Sequence, residues 1–181
     1  MGESSFEHDC VGAAASRGFT LLELLVALAV AAILLGIAIP SYRSMVQRNA
    51  MAASVNDLVG ALNYARSQAV TRGRAVYVCP SVDQSSCSPN SGWGVGWIIY
   101  APDPGSDTPT SVNRVRVRGA LDADVRISFN GNGNRVIFDA NGFAILNAGT
   151  FIATAATSPQ STAVKLATTG RVATETTAAG S

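Results

Sequence analysis

The chain has 181 residues, 48% of them hydrophobic and 14% charged, with a mean hydropathy of +0.24. That length fits one domain of ordinary size with an appendage and excludes two enzymes in series. A net charge of +1 excludes a strongly basic nucleic-acid coat or an acidic disordered tail as the whole molecule. His8 is the only histidine, so a chain trimmed ahead of its apolar block has no imidazole for acid–base catalysis, a Ser-His triad or metal ligation. No enzyme, cofactor or metal site is expected.

From Phe19 to Ile39 the sequence reads FTLLELLVALAVAAILLGIAI, about 21 residues with a single charge, Glu23. At ~1.5 Å per residue, a helix of this length spans roughly 31 Å, the thickness of a hydrocarbon core. A secretory signal has a shorter apolar run of ~7–15 residues closed by a small-residue cut site, whereas this one runs on into another helical pattern. Glu23 is the difficulty. A carboxylate at the bilayer centre costs about 2.5–3.5 kcal/mol, less if it snorkels, so it reaches the headgroups or meets a cation.

Pro40 is expected to bend the helix without ending it. Past it, Val55, Leu58, Val59, Leu62, Ala65 and Ala69 recur at helical spacing, with Asn56, Asp57, Asn63 and Arg66 on other faces. This predicts an amphipathic stem over 40–73, stopping near Thr71-Arg72-Gly73 with Gly73 as its C-cap.

Period-two patterning follows. Strands are predicted at 74–79, 95–100, 112–118, 125–129, 134–138, 150–154 and 162–172, separated by Gly, Asn, Asp and Pro clusters. The expected fold is α+β: a long N-terminal helix, half membrane-spanning and half amphipathic, packed on a small antiparallel β domain over 74–181. Val76, Val78, Trp97, Ile99, Ile127, Phe129, Ile137 and Phe138 are the expected core facing the stem, and 173–181 is expected to fray.

Cys79 and Cys87 bracket a Ser/Asp/Gln loop. In an oxidising compartment they close a nine-residue ring worth about 2–3 kcal/mol; the alternative is two reduced thiols. Zinc would need two more thiolate or imidazole ligands. Arg114, Arg116 and Arg118 alternate with valines, which on a regular strand places three guanidinium groups on one face. Such a face suits phosphates of DNA, or is simply a solvated sheet surface. The Asp103/Asp107 segment and Asp139–Gly142 read as turns rather than calcium loops.

The string RGFTLLELL around residues 17–25 resembles the signal of type IV prepilins and type II secretion pseudopilins. The resemblance implies cleavage by a prepilin peptidase after Gly18, methylation of the new N-terminal Phe19, and an assembly role for Glu23, which neutralises the terminal amine of a neighbouring subunit. Residues 1–18 are then a leader, lost with Cys10, and 19–39 a transmembrane and filament-core helix. The leader carries Glu3, Glu7 and Asp9 against Arg17, whereas such leaders are often short and basic. Its removal leaves 12 basic and 9 acidic residues.

Further on, ALNYARSQAVTRGRAVYVCPS, GWGVGWIIY, IFDANGFA and VKLATTGRV resemble the GspH/FimT family of minor pilins and pseudopilins, closer to its FimT/FimU pilus branch. This implies a single-pass inner-membrane protein with a periplasmic β domain, later a filament subunit. Its implied partners are major and minor pilins, prepilin peptidase and membrane lipid. Three functions remain open: a minor pilin near the tip of a type IV pilus, a type II secretion pseudopilin, and a DNA receptor in natural transformation. FimT-like proteins linked to DNA uptake carry a C-terminal Gly-Arg-x-Arg motif. Here Gly170-Arg171-Val172-Ala173 keeps only the first arginine, so only Arg171 is a candidate by that route.

Overall fold

The computed structural model describes residues 19–156, 158 and 160–178. Residues 1–18, on which the expected leader and its Gly18 and Cys10 fall, and residues 179–181 lie outside them. Helix α1, Leu21–Arg72, runs unbroken through Pro40. The chain divides into two compact units, Met1–Pro40 and Ser41–Ser181.

In the first unit every described side chain is exposed. Residues such as Leu24, Leu28, Ile33 and Leu35 cover all sides of the helix, and its apolar window is long enough to cross a membrane. A helix apolar all round is built for lipid or for other helices, since one buried stripe serves a water-soluble domain.

In the second unit α1 becomes one-sided. Met51, Ser54, Val55, Leu58, Ala61, Leu62, Ala65 and Ala69 are buried, a stripe spaced three and four residues apart. The helix stops where Gly73 adopts φ +62°, a left-handed conformation that glycine enters without steric penalty. The Arg74 amide then donates back to the Ala69 carbonyl at 3.2 Å and satisfies one of the last helical carbonyls.

The β domain comprises β1 (Val76–Pro80), β2 (Trp97–Tyr100), β3 (Arg114–Arg118), β4 (Val125–Phe129), β5 (Val136–Phe138), β6 (Gly149–Ala155), β7 (Gln160–Leu166) and β8 (Val172–Ala178). They form two antiparallel four-stranded sheets, ordered β3-β2-β1-β5 and β4-β6-β7-β8. Inward residues of both sheets meet the stem in one core: Val76, Val78, Trp97, Ile99 and Phe138 from the first, Ile127, Phe151, Val164 and Leu166 from the second. Phe129 packs on that core while partly buried. At one end Phe129 stacks on Phe151 at 4.3 Å between centroids, and Trp93 meets Phe151 edge-on at 4.9 Å.

Three expectations are corrected. Ile137 opposes Tyr77 in the register and therefore shares its outer face, away from the stem. The single strand expected over 162–172 is two strands, because Gly170 at φ +75° turns the chain and its amide donates to the Ala167 carbonyl at 2.9 Å. Residues 172–178 are then an ordered edge strand pairing with β7 along its whole length, where fraying was expected. The outer face of the first sheet also has a core of its own, in which Ile98, Tyr100 and Cys79 are fully buried.

Candidate functional site

At the start of α1 the Thr20 hydroxyl accepts the amide N–H of Glu23 at 3.2 Å, and the Leu24 amide donates to the Thr20 carbonyl at 3.1 Å. Thr20 is thus the N-cap, and Thr-x-x-Glu is the spacing of a capping box. The Glu23 carboxylate sits in the first turn, exposed, where the helix dipole favours negative charge. Among the described residues no side chain pairs with it. Glu23 is the one charge in the apolar stretch 19–39.

The three arginines of β3 do not share a face. Trp97, Ile98 and Ile99 oppose Arg118, Val117 and Arg116, but Tyr100 opposes Arg114, so Val115 is an extra residue and the strand bulges. Arg116 and Arg118 consequently point with Ile99 and Trp97 toward the stem, while Arg114 points with Tyr100 to the other side. Each has a local partner. Arg118 Nε donates to Asp57 Oδ2 on the stem at 2.9 Å. The Arg116 guanidinium lies 5.6 Å from the centroid of the Tyr64 ring, also on the stem. Arg114 donates to the Gln84 carbonyl at 2.6 Å and to Ser85 Oγ at 3.0 Å in the cysteine loop. Arg171 is different: it is exposed just past the Gly170 turn and has no side-chain partner among the described residues.

Cys79 and Cys87 are joined by a disulfide with Cα atoms 5.6 Å apart. Inside the ring Asp83 folds the loop on itself, accepting the amides of Ser86 and Ser85 at 2.8 Å, the Ser86 hydroxyl at 2.8 Å and the Ser81 hydroxyl at 3.1 Å. Those bonds to the charged form hold its carboxyl well below the usual carboxylate range. Gln84 at the loop tip has φ +58°, which turns its carbonyl outward to meet Arg114.

Beside the disulfide a cleft of about 510 Å³ opens between three loops, lined by Cys87, Pro89, Tyr100, Asp107, Pro109 and Arg135. Tyr100 donates its hydroxyl to the Asp107 carbonyl at 3.0 Å, and burial pushes its pKa up to about 12. Tyr77 donates to Asp107 Oδ1 at 3.0 Å; burial and then that bond raise its pKa. Arg135 completes the group, 3.5 Å from Asp107 and 5.3 Å from the Tyr77 ring centroid. Asp107, which the sequence suggested only as part of a turn, therefore anchors that loop to the sheet. No cluster of His, Cys, Asp or Glu among the described residues could hold a metal ion.

The partners missed at sequence level are Asp57, Tyr64 and Gln84. Asp57 and Tyr64 carried a signal, a charge and an aromatic seven residues apart on the stem and therefore on one helix face. Also missed was the loop after Gly142, where Phe143, Ile145 and Leu146 are exposed, an unusual run of apolar surface.

A capped apolar helix that becomes the amphipathic stem of a small antiparallel β domain defines a pilin-type subunit, a structural protein rather than an enzyme. Residues 54–170 match the family model described as type II transport protein GspH, and residues 14–39 match the prokaryotic N-terminal methylation motif. The chain belongs to the GspH family. The fold is shared with the type IV minor pilin FimU of Pseudomonas aeruginosa PAO1. One crystal form gives a TM-score of 0.58 at 22% identity, covering 72% of this chain and 92% of that one. A second form gives 0.53 at 22% identity, covering 71% and 91%. No curated protein gives a significant sequence match.

Proposed function

We propose that the chain is a minor pilin of a type IV pilus, cut between Gly18 and Phe19 by a prepilin peptidase, methylated on Phe19, and drawn from the inner membrane into the filament. The observation carrying this reading is that the methylation-motif match over 14–39 contains both the cut site and the Thr20–Glu23 cap. In the membrane, residues 19–39 are solvated by lipid; in the filament, neighbouring helices replace it. Glu23 then meets the amine of an adjacent subunit's Phe19, and the pair neutralises two charges that each cost several kcal/mol when buried alone. The register of the helices follows from that pairing, and the β domain meets its neighbours outside the helical core.

A second reading, a pseudopilin of a type II secretion system, is favoured by the description of the family model itself. The bulged β3 supports a structural use of Arg116 and Arg118, which tie the sheet to the stem. Arg171 is the remaining candidate for contact with DNA phosphate. Intact mass of the membrane-extracted protein tests the processing: the expected species lacks residues 1–18 and carries one methyl group, whereas a chain beginning near Ser41 means an ordinary signal peptide. Recovery in sheared surface fibres supports the pilus, and loss of protein export on deletion with normal fibres supports the pseudopilus.

A further inference from the structure

The loop between β4 and β5 reads Asn130-Gly131-Asn132-Gly133-Asn134, and the chain has one more Asn-Gly pair at Asn141-Gly142. Asn-Gly is the dipeptide most open to intramolecular attack by the following amide, because glycine has no Cβ to block ring closure and its backbone is the most mobile. Of the three pairs, the fold restrains two. Asn130 Oδ1 accepts the Thr150 amide at 2.7 Å, and Gly131 is wedged between the Phe129 ring and Gly149. At the second pair the nucleophile is occupied, since the Gly142 amide donates to the Asp139 carbonyl at 2.9 Å, and Gly142 is buried against Arg66 and Gly170. Asn134, at the end of the loop, has its side-chain amide bound to Trp93, Pro89 and Ser91.

At Asn132-Gly133 neither the side-chain amide nor the attacking N–H is restrained in this way. Both residues are exposed, and no atom lies within 4 Å of where a Cβ on Gly133 would sit. Among the described residues the Asn132 side chain has no hydrogen-bond partner and the Gly133 amide no acceptor. We infer that Asn132-Gly133 is a self-modifying site that converts to aspartate and isoaspartate in the folded protein. Hydroxide removes the Gly133 amide proton, and the nitrogen attacks Asn132 Cγ. The bond from Cγ to the side-chain nitrogen breaks, and ammonia departs with a proton from water, leaving a five-membered succinimide. Water then opens the ring: attack on the former side-chain carbonyl breaks its bond to the Gly133 nitrogen and gives aspartate, whereas attack on the former backbone carbonyl breaks that carbonyl's bond to nitrogen and gives isoaspartate. No oxidant or enzyme is required.

The product carries a new negative charge one residue ahead of the 133–135 stretch that lines the cleft, where Arg135 supplies the cation. In the isoaspartate form the chain runs on through Cβ and Cγ of residue 132, and the former backbone carbonyl, which in the unmodified chain accepts Asn147 Nδ2 at 2.6 Å, becomes a free carboxylate off the main chain.

The test is incubation of the purified full chain in detergent at mildly alkaline pH in ¹⁸O-water, followed by peptide mapping. Conversion at residue 132, with one ¹⁸O incorporated, is expected roughly tenfold faster than at 130 or 141, the factor that one net hydrogen bond to be broken supplies. In the denatured chain the three rates are expected to converge, and Asn132→Gln is expected to abolish the fast phase. Equal native rates, a faster site at 130 or 141, or the same ranking in the denatured chain would each overturn the assignment.

Discussion

Thr20 Oγ1 accepts the Glu23 amide at 3.2 Å, so one hydroxyl caps the turn that carries the Glu23 carboxylate. Thr20→Val is expected to cost about 1 kcal/mol of local helix stability. Faster hydrogen exchange at residues 22–24 in micelles measures it. On the proposed function, Glu23→Ala is expected to leave the cap and membrane insertion intact and to impair incorporation into fibres, because it would remove a neighbour's counter-charge. Wild-type amounts of Glu23→Ala in sheared fibres would sink the register role.

The stem ties to β3 are exposed and individually weak. Asp57→Asn or Arg118→Gln is expected to shift stability by less than about 1 kcal/mol, and the two changes together by no more than either alone. Replacing Arg114, Arg116 and Arg118 with glutamine is expected to lower stability by about 1–3 kcal/mol, summed over an ion pair, a cation–π contact and bonds to a carbonyl. Denaturant titration of the full chain reads this. A DNA-binding salt slope that flattens in the triple variant at unchanged stability would return phosphate recognition to β3.

Cys79→Ser is expected to destabilise the β domain by about 2–3 kcal/mol, the loop-entropy value for a nine-residue ring. The effect reaches beyond the ring, because Arg114 is held by Gln84 and Ser85 inside it. Thiol labelling of the oxidised wild-type protein is expected to find no reactive cysteine at 79 or 87, and a labelled pair in the native state would count against the bridge.

Alkaline pH is expected to loosen the outer face of the first sheet. Tyr100 in the folded chain is raised to about 12 from its ordinary value near 10. A raised phenol favours the folded state while it is protonated. That stability is fully present below pH ~10 and is lost as pH rises toward 12. Ultraviolet titration should show the phenols of Tyr77 and Tyr100 ionising late, Tyr100 together with unfolding; ionisation of every tyrosine near pH 10 with the fold intact would contradict it.

The two units differ in how legible they were. The apolar helix is written locally, in consecutive residues, and the stem in a periodicity that tertiary contacts reinforce. Gly73 announced the end of α1 for the same reason; the Thr20 cap, although equally local, went unread. The faces of β3 were not legible, because one extra residue at Val115 reverses the alternation for Arg114, and a bulge depends on pairing with β2 rather than on the strand's own composition. The Ala167–Gly170 turn was hidden inside a run of Ala, Thr and Val that reads as continuous strand. Trp97-Ile98-Ile99-Tyr100 is buried on both faces: Trp97 and Ile99 face the stem as expected, but the second core around Ile98 and Tyr100 was not legible, because it depends on loops packing over the outer face.

Lys165 is the only lysine in the chain, and it stands on β7, half exposed, 2.7 Å from Glu175 on the neighbouring edge strand. A processed and methylated subunit therefore offers an amine-reactive dye one side-chain address, on the ordered sheet. Labelling of the isolated chain before assembly then places one side-chain dye per subunit at a known point on the sheet, and a single bright point or a continuous line in fibres that take it up separates a capping component from one distributed along the shaft.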